Sequence, residues 1–291
     1  MNRTLEVLYK IYKPFRITKV NKCILMRTMD GDYVIKSNPK INYKELYNYL
    51  YSRGFSYVPN ITNDTRDDAV IFEYVEDLSI DKEQKAIDLI NIVSLLHEKT
   101  SYFKEVTNDK YKEIYENVKN NILYIKKYYD NNFDNYIKEE YLSPSHYLFL
   151  RNYSLIYNAC NYCNSKLDEW YSKVSDKNKQ RVVLVHNNLQ LDHFIKNEND
   201  YLISWDNYTF DSPILDLYHL YINEWKNISF IEIINKYNSN FELLEEERIL
   251  LDIMISIPFK VEEDNKEIDN CRKYRELINY LSKSSKTILS S

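Results

Sequence analysis

The sequence predicts an α+β fold with two lobes, a small β-rich N-terminal lobe and a larger, mostly helical C-terminal lobe. Three observations support this prediction. Short runs rich in β-branched and aromatic residues flank an Asp-Gly pair at residues 30–31. Apolar residues recur at helical spacing from about residue 83 onward. Only two short apolar runs, at 182–185 and 201–203, interrupt that helical pattern.

The N-terminal lobe is predicted to span residues 1–76. Its predicted elements are, in order, a helix over 5–12, strands over 23–28 and 33–36, a helix with Tyr43, Leu46, Tyr47 and Leu50 on one face, and a strand over 69–75. Asp30-Gly31 is typical of a tight turn between paired strands. Gly54 lies where a glycine commonly ends a helix.

The C-terminal lobe is predicted to span residues 77–291. Its predicted helices lie around 86–96, 108–133 and 145–175 and from about Pro213 to the end, with strands at 182–185 and 201–203. Ser143-Pro144 is typical of a helix start, because proline suits the first helical position. An isolated pair of short strands among helices suggests a functional element between residues 185 and 206.

Composition and charge exclude several classes of function. With a net charge of −5, the chain lacks the excess of positive charge that is typical of nucleic-acid-binding proteins. No apolar run approaches the ~20 residues that span a bilayer. The N-terminus has no signal-peptide pattern, so we expect a cytoplasmic protein. The four cysteines are too sparse for a disulfide framework, and Cys160 and Cys163 favour helix packing over a zinc or redox role.

Two segments of the second lobe contain recognisable motifs. Residues 185–195 read Val-His-Asn-Asn-Leu-Gln-Leu-Asp-His-Phe-Ile, similar to the pattern H-G-D-x-x-x-x-N. Residues 201–217 contain Ile-Ser-Trp-Asp and Asp-Ser-Pro-Ile-Leu-Asp-Leu, similar to I-D-[FW] and G-D-P-x-x-D-L. In this order the motifs resemble the signature of the aminoglycoside phosphotransferase and choline kinase superfamily. The resemblance implies a protein-kinase-like bilobal fold with a catalytic loop within residues 185–206.

Three further segments extend this resemblance over roughly residues 5–285. Residues 28–36 are similar to the N-terminal pattern T-x-x-G-x-Y-x-[LI]-K of the spore-coat CotS-type branch, which the chain resembles most. Residues 53–59 resemble a G-F-x-x-[IV]-P segment, and Leu95-Leu96-His97 resembles an L-x-x-L-H helix. The resemblance therefore also implies a spore-coat or sporulation protein.

Family chemistry assigns expected roles in the first lobe. Phosphoryl transfer depends on positioning and on electrostatic stabilisation of the phosphates. Lys36 matches the lysine that steadies the phosphates, and Glu45 is a candidate for its ion-pair partner. The backbone near Glu73 and Val75 matches the hinge that meets adenine. A plain surface role stays open for Lys36 and Glu45.

The loop departs from the family pattern where the chemistry occurs. Asn188 stands at the position of the catalytic base, and a neutral amide cannot accept a proton. His193 replaces a Mg²⁺-binding asparagine, although Mg²⁺ prefers oxygen ligands. Ser204 replaces the metal-binding aspartate. The retained His186, Asp211 and Asp216 are expected to brace the loop without doing chemistry.

Two acids are candidates to compensate for these losses. If residues 204–206 continue a strand, Asp206 shares a face with Ser204 and reaches the metal position. Asp192, next to His193, is the other candidate.

We therefore expect a catalytically impaired pseudokinase that binds or scaffolds a partner, with ATP and Mg²⁺ bound weakly or not at all. The partner is expected to be a protein, such as a spore-coat component, or a small ligand in the cleft between the lobes. A divergent phosphotransferase that uses Asp206 for its metal stays open as the alternative. A third alternative is a ligand-binding module that uses the cleft without nucleotide.

Overall fold

The computed structural model describes residues 3–21, 23–66 and 68–289. The strands are β1 (Arg16–Val20), β2 (Cys23–Arg27), β3 (Asp32–Ser37), β4 (Ala69–Glu73), β5 (Tyr102–Glu105), β6 (Lys179–Val185), β7 (Phe194–Lys196), β8 (Asp200–Leu202) and β9 (Thr209–Asp211). The helices are α1 (Arg3–Tyr12), α2 (Tyr43–Ser52), α3 (Lys82–Thr100), α4 (Asn108–Tyr136), α5 (Pro144–Val174), α6 (Ile214–Glu224), α7 (Phe230–Asn240), α8 (Glu245–Ser256) and α9 (Glu267–Leu289). The predicted α+β class is confirmed, with a small antiparallel sheet before a larger helical part.

The N-terminal sheet has the order β1-β2-β3-β4, with every neighbouring pair antiparallel. The predicted turn joins β2 to β3, and Gly31 adopts φ +146°, a value that side chains rarely allow. Side chains alternate along β3, so Ile35 packs into a small core below the sheet. Val34 and Lys36 point to the opposite face, where a cleft lies.

The larger core joins α2 to the helical lobe. Helix α5 packs against α4, α8 and α9, while α3 packs against α7 and β6. Cys160 and Cys163 are buried in this core, as the helix-packing interpretation predicted. Desolvation raises the pKa of Cys160 to about 11, so its thiol stays protonated.

Local signals placed several helix ends correctly. Ser143 caps α5, and its hydroxyl oxygen accepts a hydrogen bond from the His146 N–H at 3.2 Å. Gly54 follows the last residues of α2 with φ +70°. Such caps depend on adjacent residues only, which is why the sequence reveals them.

Both predicted strands of the second lobe are present, as β6 and β8. They pair with strands that were not predicted: β6 with β5 and β9, and β8 with β7. β7 and β9 have three residues each, too few to show a period of two. β5 is exposed along its whole length and has no apolar alternation.

In the described part of the chain, no helix combines the length and the apolar character needed to cross a membrane. The boundary after residue 76 stays a prediction. β4 ends before that point and α3 begins after it.

Candidate functional site

A buried carboxylate organises the start of the loop that follows β6. Asp216 accepts hydrogen bonds from the backbone N–H groups of His186 at 2.8 Å and Asn187 at 2.7 Å. A third bond joins it to His97 Nε2 at 3.1 Å, and His97 Nδ1 lies 2.7 Å from the hydroxyl of Tyr237. We call these five residues the loop frame. Their contacts join α3, α6 and α7 to the loop.

The electrostatics of the loop frame favour an ionised Asp216. Burial alone would raise the pKa of this carboxyl group. The interactions with His97 and with the ring and backbone N–H of His186 outweigh burial, so the pKa of Asp216 lies below its ordinary value. The carboxylate therefore accepts the loop N–H groups in its charged, stronger form.

His186 connects the loop to the chain that follows β8. Its Nε2 donates to the backbone oxygen of Ile203 at 2.7 Å, and its ring meets Trp205 edge-on at 5.0 Å between centroids. Complete burial lowers the pKa of His186, which favours the neutral ring. Its Nδ1 has no partner within the described residues. The predicted bracing role is consistent with these contacts.

Asn188 and His193 occupy the predicted base and metal positions. Asn188 is half-buried, and its backbone oxygen accepts a hydrogen bond from His193 Nδ1 at 2.8 Å. His193 Nε2 lies 2.8 Å from Gln190 Nε2 and accepts its N–H. Burial lowers the pKa of His193, consistent with a neutral ring. Both ring nitrogens are thus engaged within the loop, and neither presents a free lone pair.

The structure contradicts one premise about Ser204 and Asp206. β8 ends at Leu202, and Ser204 adopts a left-handed backbone at φ 67°. A 3₁₀ turn then covers Trp205–Asn207. The two side chains therefore do not share a strand face. Asp206 reaches the cleft because the turn carries it there.

Lys36, Tyr43 and Asp206 form a triangle across the two lobes. Lys36 forms an ion pair with Asp206 and donates to the Tyr43 hydroxyl at 3.0 Å. The Tyr43 hydroxyl donates to Asp206 Oδ1 at 3.1 Å. Burial raises the pKa of Tyr43 far above its ordinary value, so the hydroxyl remains a donor. We call this arrangement the lobe triangle.

The predicted ion pair between Lys36 and Glu45 is absent from the described residues. Glu45 is exposed on α2, and Lys36 pairs with Asp206 instead. A helix advances about 100° per residue, so Glu45 points roughly 200° away from Tyr43, which faces the cleft. The sequence pattern predicts Tyr43 only on the apolar face of α2. Its hydroxyl group is the one feature of the sequence that could have indicated a polar contact in the cleft.

A cleft of about 210 Å³ lies beside the lobe triangle. Its lining is Cys23, Val34, Lys36, Tyr43, Tyr47, Pro59, Phe72, Glu73, Tyr74, Val75, Ile195, Ile203 and Ser204. The Glu73 carboxylate accepts from Asn60 Nδ2 at 2.9 Å. In the described chain, the Val75 N–H has no hydrogen-bond acceptor. The lining of the cleft is therefore largely apolar.

The donor set at this site does not fit Mg²⁺, which prefers several hard oxygen ligands. Asp206 already forms an ion pair with Lys36 and accepts a hydrogen bond from Tyr43. Both ring nitrogens of His193 already form hydrogen bonds. Asp192 is exposed to solvent and does not point into the cleft. Across residues 3–21, 23–66 and 68–289, no three His, Cys, Asp or Glu side chains converge as metal ligands do. The family resemblance also predicts that the turn over residues 20–22 covers the phosphates, although it contains no glycine for a close backbone approach. Lys22 of this turn lies outside the described residues.

Solved structures that match this fold include phosphotransferases and a choline kinase. An aminoglycoside phosphotransferase from Alicyclobacillus acidocaldarius matches with a TM-score of 0.65 at 9% identity, over 95% of this chain and 92% of that one. A spectinomycin phosphotransferase bound to AMP gives 0.57 at 11% identity, over 97% and 98%. A choline kinase from Streptococcus pneumoniae gives 0.50 at 16%, over 95% and 98%. These similarities confirm the kinase-like bilobal fold.

Comparisons of the sequence itself give no further assignment. No protein-family model matches the chain, and no curated protein matches it. The fold is therefore established by the structure, while the roles of individual site residues rest on their geometry.

Proposed function

We propose that this chain is a catalytically impaired member of the aminoglycoside phosphotransferase and choline kinase superfamily. It acts as a pseudokinase that binds or scaffolds a partner and does not transfer phosphate. The observation that carries the proposal is the engagement of Asp206 by Lys36 and Tyr43. This acid is the candidate substitute for the missing metal ligand, and its charge is already neutralised by Lys36.

The loop chemistry supports the same proposal. Asn188 cannot take the proton of a substrate hydroxyl, and general acid–base help is worth about 10²–10⁴-fold in rate. Ser204 supplies no negative charge, and the neutral ring of His193 is held by its own loop. An active enzyme would need a substitute base and substitute metal ligands at the same time. ATP and Mg²⁺ are therefore proposed to bind weakly or not at all.

The binding role is proposed from the cleft. Its apolar lining and the Val75 N–H suit a small planar ligand that accepts one hydrogen bond. The resemblance to the spore-coat CotS-type branch supports a protein partner within the spore coat or its assembly. The proposed location is the cytoplasm or the forming spore.

A divergent phosphotransferase is the second candidate, and one observation favours it. The Asp206 carboxylate lies against the Lys36 amine, close to where triphosphate oxygens and a metal ion would meet in an active relative. If ATP displaced Lys36 and Tyr43 from this acid, Asp206 could bind a cation. The substrate would be a small hydroxylated or amino-bearing molecule.

Radiolabelled ATP hydrolysis separates the two candidates. The wild type is assayed with Mg²⁺ and with Mn²⁺ beside Asp206→Ala, and we expect equal, background rates. The triple variant Asn188→Asp, His193→Asn, Ser204→Asp tests whether acids alone restore turnover. We expect it to exceed the wild type, because it supplies a base and two metal ligands.

The outcomes are distinguishable. Wild-type turnover that Asp206→Ala abolishes would overturn the pseudokinase proposal and support the phosphotransferase. A rise in the melting temperature of the wild type on addition of ATP, seen only with a divalent metal ion, would also support the phosphotransferase.

A further inference from the structure

A groove with a strongly positive lining lies between α9 and the segment after α6. Its cavity volume is about 510 Å³. Five cationic side chains line this cavity: Lys226, Arg272, Arg275, Lys283 and Lys286. We call the cavity with these residues the basic groove. Among the described lining residues, Glu276 is the only carboxylate. The chain has a net charge of −5, so this concentration of positive charge opposes the overall balance.

The α9 cations form a stripe along one face of the helix. Arg272 and Arg275 lie at one end, and Lys283 and Lys286 lie at the other. Fourteen residues at ~1.5 Å each separate the two ends by ~21 Å. The uncharged side chains of Asn279 and Ser282 lie between them. The groove therefore offers charge at both ends and hydrogen-bonding groups in the middle.

Much of this charge is not neutralised within the chain. Arg275 and Lys286 have no carboxylate partner among the described residues. Lys283 donates to the backbone oxygens of Trp225 at 2.8 Å and Lys226 at 3.2 Å, contacts that leave its charge uncompensated. Lys226 pairs with Glu276 at 2.5 Å, and Arg272 pairs with Asp269 at 3.1 Å. Three cations therefore remain available to an anionic ligand.

Trp225 contacts two lysines of the basic groove, Lys226 and Lys283. Its ring is largely buried and meets Tyr280 edge-on at 5.4 Å between centroids. The amines of Lys226 and Lys283 lie 5.3 Å and 5.7 Å from the centre of the Trp225 ring. Such cation–π contacts limit the freedom of the lysines, which reduces the entropy that a ligand must offset on binding.

We propose that the basic groove binds an acidic, extended segment of a partner protein. Carboxylates of the segment would meet the cations at the two ends, and its backbone N–H and C=O groups would pair with Asn279 and Ser282. The Ser282 hydroxyl already donates to the Ile278 backbone oxygen at 2.8 Å, so it can only accept from a ligand. A peptide N–H supplies that donor, whereas a phosphodiester backbone has none. A flat bilayer cannot follow a concave lining. The proposal does not depend on whether the cleft transfers phosphate.

Fluorescence anisotropy with a labelled oligo-glutamate peptide tests the proposal. About seven residues at ~3.3 Å each span the stripe. We expect saturable binding to the wild type that weakens as salt screens the charges. Arg275→Glu with Lys286→Glu should weaken it about tenfold, because two exposed contacts become repulsive. Arg275→Lys with Lys286→Arg should retain it.

The matched control reverses two exposed cations on α4. Lys112→Glu with Lys127→Glu changes the net charge equally but leaves the groove intact, and it should bind like the wild type. No binding to the wild type, or equal weakening in both double variants, would overturn the proposal. Binding of single-stranded DNA or of phosphatidylserine vesicles that oligo-glutamate does not displace would also overturn it. Circular dichroism melting verifies that each variant is folded.

Discussion

The loop frame and the lobe triangle both depend on an aspartate, but their environments differ. Asp216 in the frame is fully buried and receives three hydrogen bonds from neighbouring elements. Asp206 in the triangle keeps a quarter of its side chain exposed and meets one lysine and one tyrosine. The frame thus orders the backbone at the start of the loop, while in the triangle Lys36 and Tyr43 of the N-terminal part hold the Asp206 carboxylate. Burial and three hydrogen bonds therefore fix Asp216 more firmly than its two partners fix Asp206.

The strongest test of this comparison is the removal of the frame carboxylate. Asp216→Ala leaves two loop N–H groups and His97 unpaired in a buried place. We expect a loss of about 3–5 kcal/mol in the free energy of unfolding, measured by urea denaturation. The control Asp192→Ala alters an exposed acid and should change stability by no more than about 0.5 kcal/mol. Equal losses in the two variants would show that the frame is not the structural support inferred here.

A double-mutant cycle measures the lobe triangle. Lys36→Met, Asp206→Asn and their combination should give a coupling of about 1 kcal/mol or less, because the pair is partly exposed and screened. Urea unfolding of the four proteins provides the values. Tyr43→Phe keeps the ring but removes the hydroxyl that contacts both Lys36 and Asp206, so it measures the third corner of the triangle separately. A coupling near that of a buried pair would mean that the triangle is as structural as the frame.

His186 in the loop frame and His146 outside it should make opposite contributions to the pH dependence of stability. Burial lowers the pKa of His186, so the unfolded state takes up the proton first and stability falls as pH drops below about 6.5. Burial opposes the charge on His146 too, but Glu139 and Glu263 outweigh it and raise its pKa. The His146 contribution is therefore present below about pH 6.5 and is lost as pH rises through the raised value.

Unfolding of His186→Gln and His146→Gln between about pH 5 and pH 8 checks these signs. The stability difference from wild type should shrink toward low pH for His186→Gln. For His146→Gln it should shrink toward high pH. Parallel trends in the two variants would contradict the assigned protonation states.

The smallest expected effect concerns the left-handed backbone at Ser204. A left-handed residue other than glycine costs about 1–2 kcal/mol, and glycine adds about 0.5–1 kcal/mol of chain entropy. Ser204→Gly should thus stabilise the protein by roughly 0.5–1 kcal/mol, measured as a rise in the melting temperature. Ser204→Val should lower it. A glycine variant less stable than wild type would indicate that the serine hydroxyl has a role at this turn.

Much of the fold follows from local patterns in the sequence. The Asp30-Gly31 turn, the Ser143 cap and the helical faces depend on residues a few positions apart. The sequence does not predict β1, because none of its residues 16–20 is buried and the strand therefore lacks an apolar face. β5 has the same property. Strands of this kind form only because a partner strand lies beside them.

The sequence by itself determined that Asn188, His193 and Ser204 stand where the family resemblance predicts a base and metal ligands, because the identity of a residue does not depend on folding. Only the tertiary structure decided which groups meet. Lys36 pairs with Asp206, 170 residues away, rather than with Glu45, nine residues away in the chain. The physical reason is direction: helix rotation turns Glu45 outward, and a short turn after β8 brings Asp206 across the cleft. Periodicity along one element contains no information about such an encounter between two lobes.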